Sequence, residues 1–249
     1  MTDSDELEPW QQYTDQFAGR AQAVGNTHFD SLNEHLRKLP QAPLPFEFTD
    51  LTAIRFQLAM LVIGSLRSAR EIALSASGLW LKGHFLLASV GFRMLIELDG
   101  QLLWAEKKVL RRLEEDDAEA LRERIAKLIL GAKSSVPLVR GEFGPHPTIN
   151  VMDFVRSSEE SRPGAMEDYV FLCDATHPCY MMQTWLIFAG PRYDNWTNET
   201  FALQVAKVLD RMLVIAETSL QSLEDTALRI ISAALPQILS EAETSSAKG

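Results

Sequence analysis

Residues 82–113 read KGHFLLASVGFRMLIELDGQLLWAEKKVLRRL, and the fold class turns on this stretch. Leu86, Val90, Leu95, Ile96, Leu102, Leu103 and Val109 recur at helical spacing and are spread around the full circumference of a helix. A helix apolar on every side is buried by neighbours, so this segment is expected at the centre of an all-α fold. With about 100° between successive residues, Leu86, Val90, Arg93, Glu97 and Trp104 fall on one line. That line sets a charged i,i+4 pair inside an apolar stripe. Burying either charge alone is costly; burying the two together offsets part of the cost.

Upstream, Leu51 to about Ser77 carries Leu58, Leu61, Val62, Leu66, Ala69 and Ala73 at the same spacing, with Gly78 as a natural stop. The two long helices are expected to form a central antiparallel pair. Thr49-Asp50 supplies an N-cap after the rigid connector of Pro40, Pro43 and Pro45. Residues 1–45 are therefore read as a helical extension with its connector, 46–240 as a bundle of about eight helices, and 241–249 as a disordered tail.

Downstream, Asp116 or Asp117 caps a third helix with Leu121, Ile125, Leu128 and Ile129 inside and Gly131 at its end. Ser134–Thr148 holds Pro137, Gly141, Gly144, Pro145 and Pro147, a long irregular stretch of the kind that forms binding loops or surface excursions. A short helix begins near Ile149, and Pro163 starts another. His177-Pro178 ends or kinks that one. Phe201, Val205, Val208, Leu209, Met212 and Ile215 mark a long helix; Ser222 with Asp225 resembles a capping box for a last one, which Pro236 kinks or shortens.

A chain of 249 residues can bury a large core without disulfides or metals. Its net charge of −10 opposes contact with phosphate backbones and anionic lipid. Lys107-Lys108 with Arg111-Arg112 is a local basic exception, read as a solvated helix end whose cations complement the macrodipole. Two cysteines make no disulfide framework, and the acidic start Met1–Glu6 is unlike a secretory signal, so a cytoplasmic location is expected. The most apolar run, Phe56–Leu66, is too short to cross a bilayer.

The charged residues group into candidate sites. Arg67, Arg70 and Glu71 on the first long helix are placed to meet Arg93 and Glu97 across the pair. The segment Tyr169-Val170-Phe171-Leu172-Cys173-Asp174-Ala175-Thr176-His177-Pro178 adds Tyr169, Asp174 and His177. If it faces the central helix, Arg93, Glu97, Tyr169, Asp174 and His177 make one buried polar cluster. As a hydrolytic site, His177 is the general acid/base and Arg93 the stabiliser of a phosphate oxygen, with Glu97 beside it. As a structural device, the same cluster fixes how the helices pack.

Two other chemistries are weaker. Asp174-x-x-His177 has the spacing of a bundle metal motif, with Glu97 or Glu71 as further ligands, but the element occurs once where di-metal bundles need it twice. Arg93 would also repel a cation, so no metal and no cofactor are expected. Cys179 near His177 is read as packing rather than as a thiol nucleophile. Trp10, Trp80, Trp196 and the Met181, Met182, Trp185 face are candidate contacts for a partner if exposed.

Gly91-Phe92-Arg93-Met94-Leu95-Ile96-Glu97 and Tyr169 through Pro178, an Arg-x3-Glu helix followed by Tyr-x2-Leu-x4-His-Pro, resemble a broad family of all-helical prokaryotic proteins over Leu51 to Leu220. The resemblance carries no assigned activity. It extends distantly to HEPN-type bundles of prokaryotic defence and toxin–antitoxin systems, whose ribonuclease members use an Arg-x(4–6)-His motif on a helix. The one string of that form here, Arg140 to His146, runs through Gly141, Gly144 and Pro145 and departs from a helix. The expectation is thus a helical accessory or interaction protein with a protein partner or a homodimer, without membrane and with nucleic acid disfavoured by charge. The alternatives are a nucleic-acid or nucleotide hydrolase using Arg93, Glu97 and His177, and a metal-binding bundle.

Overall fold

The computed structural model describes residues 9–30, 50–113, 118–130, 149–176 and 199–246, with 32, 35, 37 and 115 besides. Among the described residues every regular element is helical: α1 Pro9–Gly25, α2 Asp50–Leu81, α3 Phe85–Lys108, a 3₁₀ turn Leu110–Arg112, α4 Ala118–Leu130, α5 Val151–Ser161, α6 Ala165–Thr176 and α7 Glu199–Ser246. None of these helices is long and apolar enough to cross a membrane.

The chain forms two compact units. Unit 1 is Met1–His28, Ser68–Glu97 and Arg162–Gln221; unit 2 is Phe29–Arg67, Leu98–Ser161 and Ser222–Gly249. α1 falls in the first unit, and Phe29 and Asp30 in the second.

Glycine decides the boundary between α2 and α3, but not the expected one. Gly78 lies inside α2, and the helix stops at Gly83, whose φ is +77°. Gly83 donates to the Trp80 carbonyl at 2.9 Å and His84 to the Leu79 carbonyl at 2.9 Å. These two bonds satisfy the last carbonyls of α2, and only a residue without Cβ adopts the left-handed turn between them cheaply. At the start of α5 the side chain of Asn150 accepts from the Met152 amide at 3.0 Å, a cap one residue past the expected start. Pro163 sits in a turn ahead of α6 rather than within its first turn, and Gly164, φ +97°, follows it.

The last two expected helices are one. Ser222 and Asp225 lie inside α7, where the Ser222 carbonyl accepts from the Thr226 hydroxyl at 2.8 Å, and α7 runs through Pro236 to Ser246. Apolar periodicity overrides the local signals: Leu220, Leu223, Ala227, Ile230, Ala234 and Ile238 are all buried along it. Pro236 is exposed, so the ladder bond it forgoes lies on the watered side. Helix also covers 241–246 of the stretch read as a tail.

In unit 1 the core includes Trp80, fully buried with its ring edge-on to Phe85 at 5.5 Å, which removes Trp80 as a partner contact. Arg20 on α1 grips Glu217 through Nε at 2.9 Å and Nη2 at 2.7 Å and also bonds Asp210, so its pKa is raised, first by the Glu217 bond. In unit 2, α3 and α5 approach at Gly100, where a Cβ would stand 2.2 Å from the Phe154 carbonyl oxygen. One turn along α5, the buried Ser158 donates to Oδ2 of the buried Asp99 at 3.2 Å. The close backbone approach and the polar bond beside it share one contact.

Candidate functional site

On α3 the five residues placed on one line, Leu86, Val90, Arg93, Glu97 and Trp104, share one degree of burial: all are half-buried. The stripe exists, but it edges the buried face rather than lying at its centre. Leu87 and Met94, at 55% and 41% exposure, show that α3 is not covered on every side.

Within unit 1 the structure brings Arg93, Glu97 and Tyr169 together. Arg93 Nε lies 3.4 Å from Glu97 Oε1, an ion pair rather than an aligned hydrogen bond, with side chains 24% and 28% exposed. The Tyr169 hydroxyl donates to the same Glu97 oxygen at 3.1 Å. Arg93 Nη1 donates to the Thr176 hydroxyl at 3.2 Å, and Thr176 donates onward to the Cys173 carbonyl at 3.1 Å. Burial, and then the Glu97 charge, raise the Tyr169 pKa well above the ordinary phenol value. Tyr169 therefore stays a donor, and the arrangement is one of mutual hydrogen bonding between α3 and α6.

The other proposed members stand elsewhere. Asp174 faces outward on α6 and is exposed, so it is not part of a buried cluster. Arg67, Arg70 and Glu71 are likewise exposed on α2. Their row continues the polar side of that helix, opposite Leu66, Ala69 and Ala73, which are buried. His177 lies outside the described residues, as do Pro178, Cys179, Met181, Met182, Trp185, Trp196 and the stretch 134–148; nothing is described of the Trp10 side chain. Among the described residues no group of three or more His, Cys, Asp or Glu side chains is placed to hold a metal.

The chain matches no protein-family model, no curated protein and no solved structure.

Sequence reasoning singled out Arg93 and Glu97 on α3 and missed the two buried acids of the same helix. Asp99 is fully buried and Glu106 is 5% exposed. A signal was available. Asp99 is bracketed by Leu95, Ile96, Leu102 and Leu103 at i±3 and i±4, all buried, and Glu106 by Leu102, Leu103 and Val109. Arg93 has Ser89 and Glu97 among its corresponding neighbours. Glu106 Oε1 accepts from Arg111 Nη2 at 2.8 Å, and Glu106 Oε2 accepts from Arg229 Nη2 at 3.0 Å. Burial pushes its carboxyl up, but the bonds and charges of Arg229 and then Arg111 outweigh burial and hold it below the ordinary carboxylate value.

A second ionic group ties α6 to α7 within unit 1. Arg162 donates to Asp168 at 2.8 Å and to the Thr218 hydroxyl at 3.3 Å, while Arg211 reaches Asp168 at 3.3 Å and stacks 4.5 Å from the Phe171 ring centre. These residues pair among themselves as Arg93, Glu97 and Tyr169 do.

Proposed function

We propose that the protein is a helical accessory or interaction protein that associates with a second copy of itself, in the defence or toxin–antitoxin-like setting that the sequence resemblance implies. The observation that supports this is the exposed pair Leu87 and Met94. They stand two turns apart on one face of α3, with the half-buried Val90 between them. A large apolar residue left in water at that spacing presents a ready anchor for another helix. A two-fold contact needs only one such face, because the same patch serves both copies. In this reading Arg93, Glu97 and Tyr169 hold α6 against α3 and so shape the exposed face. The hydrolase alternative has less support, since the contacts of Arg93 and Glu97 run to Thr176, Tyr169 and each other, the pattern of a bond between helices.

The same reading takes α2 and α3 as a central antiparallel pair in a bundle of about eight helices. It draws on the three-residue turn Lys82-Gly83-His84 and on Gly91, where a Cβ would lie 2.7 Å from Ala76 and 3.5 Å from Ile72.

Sedimentation velocity of the full chain tests the proposal. The expected result is a dimer that becomes a monomer in the Leu87→Glu, Met94→Glu variant with its helix content unchanged. A monomeric parent protein at about 100 µM overturns it.

A further inference from the structure

The basic run Lys107-Lys108, Arg111-Arg112 is more than a solvated helix end. In unit 2, Lys107 and Arg111 line a cavity of about 320 Å³ together with Glu106, Glu160, Arg229, Ser157 and Ser161. The volume is near the lower end of small-molecule sites, about 300 Å³ upward.

The charges in its wall are organised in two layers. Glu106 is the buried one. It takes Arg229 through Nε at 3.2 Å and Nη2 at 3.0 Å, and Arg111 through Nη2 at 2.8 Å. Thr226 steadies Arg229 further, accepting from Nη2 at 2.9 Å. One buried carboxylate therefore holds two guanidinium groups in place. Each guanidinium has five N–H donors and spends only part of them on Glu106. The remainder stay available in a cavity where both side chains are partly exposed. The outer layer is Lys107, bonded to the exposed Glu160, whose carboxyl Lys107 and Lys108 hold below the ordinary value.

Three cations against two carboxylates leave this wall positive in a chain of net charge −10. The balance is finer than that count. Glu106 is locked, whereas Glu160 is a rim residue that can swing into water. An incoming anion that displaces Glu160 from Lys107 meets Lys107, Arg111 and Arg229 at once. Pre-positioned guanidinium groups match phosphate oxygens in geometry as well as charge. α3 and α5 both end beside the cavity, at Lys108 and Ser161, and the partial negative charge of their ends offsets part of the attraction of the three cations for any phosphate, so the remaining affinity of an ester comes from its body. Ser161 offers a hydroxyl to a neutral body, and Ser157, whose proton goes to the Asp153 carbonyl at 2.9 Å, offers an acceptor.

We propose that this cavity binds a small phosphate ester, with the phosphate on Arg111, Arg229 and Lys107 and a hydroxylated body toward Ser157 and Ser161. Glu160 acts as a stand-in anion that the ligand must displace.

Titration calorimetry of the full chain with ribose 5-phosphate at fixed ionic strength tests this, with inorganic phosphate and ribose as separate arms. The expected result is saturable binding of the ester, weaker binding of phosphate and none of ribose. Arg111→Gln and Lys107→Gln each weaken the ester by about tenfold. Glu160→Gln tightens it, because the competing carboxylate is gone. Glu160 and Lys107 are exposed, so their two variants fold even if Arg111→Gln perturbs Glu106. Absence of saturation by the ester at about 10 mM overturns the proposal. So does binding that ignores Arg111→Gln and Lys107→Gln, or that weakens in Glu160→Gln.

Discussion

The Tyr169 hydroxyl donates to Glu97 Oε1 at 3.1 Å, joining α6 to α3 inside one compact unit. Tyr169 is nearly buried and Glu97 only partly so. Removing the hydroxyl leaves Glu97 access to water and to Arg93, so the cost is that of one hydrogen bond. Tyr169→Phe is expected to lower stability by about 1 kcal/mol, read from urea unfolding. A change below the error of that measurement would remove the structural role assigned to this bond.

The same residue sets an alkaline limit. Burial and the Glu97 charge raise the Tyr169 pKa in the folded protein. A group whose folded pKa is raised contributes stability below its unfolded value and loses it as pH rises through the folded one. Stability is therefore expected to decline from about pH 10 upward, and Tyr169→Phe is expected to flatten that limb. Denaturant midpoints between about pH 8 and 11 measure it; parallel curves for the two proteins contradict it.

Glu106 sets the opposite limit. Its carboxyl is held low by Arg229 and Arg111 against the effect of burial. A lowered carboxyl stabilises above its unfolded value and loses that contribution as pH falls through the folded one. The parent protein is expected to lose stability in acid more steeply than Glu106→Gln. At neutral pH the variant is expected to be less stable by about 1–3 kcal/mol, discounted from the cost of a sealed ion pair because both arginines reach solvent.

Gly100→Ala is expected to be the most damaging small change. Its methyl group would meet the Phe154 carbonyl oxygen at 2.2 Å, and backbone yields only if α3 and α5 separate. A loss of about 3 kcal/mol is expected, the upper range of overpacking. Gly64→Ala is the control. It stands in α2 with nothing within 4 Å of its new Cβ, so helix propensity alone acts and stability rises by about 0.5–1 kcal/mol. Thermal melts of the two variants should move in opposite directions.

Helical periodicity made the all-α class legible, together with the burial of Leu58, Val62, Leu66, Leu95, Ile96, Leu102 and Leu103. Boundaries were less legible where two local signals competed. Gly78 and Gly83 are the same residue type, and only the left-handed backbone of Gly83 and the bonds from Gly83 and His84 back to Trp80 and Leu79 distinguish a helix end from a helix interior. Ser222, Asp225 and Pro236 each carry a local helix-boundary preference, and burial on both sides of them wins. At the site, a charged i,i+4 pair drew the eye to Arg93 and Glu97, while the more buried acids lay six and nine residues on, counted from Arg93 to Asp99 and from Glu97 to Glu106. Their partners, Ser158 and Arg229, are 59 and 123 residues away in the chain, a separation that no local pattern encodes.

Long separations of that kind also constrain how the molecule is made. Arg20 finds Glu217 across 197 residues and Thr52 finds Glu241 across 189. A ribosome delivers the N-terminal partner of each bond long before the other exists. Neither compact unit is complete until α7 has left the exit tunnel, because each draws one of its segments from it. Apolar faces of α2 and α3 must then wait in the nascent chain, where a holding chaperone has the longest opportunity to bind. Truncation anywhere before α7 leaves both cores open, so a nonsense codon late in the message is as damaging as an early one.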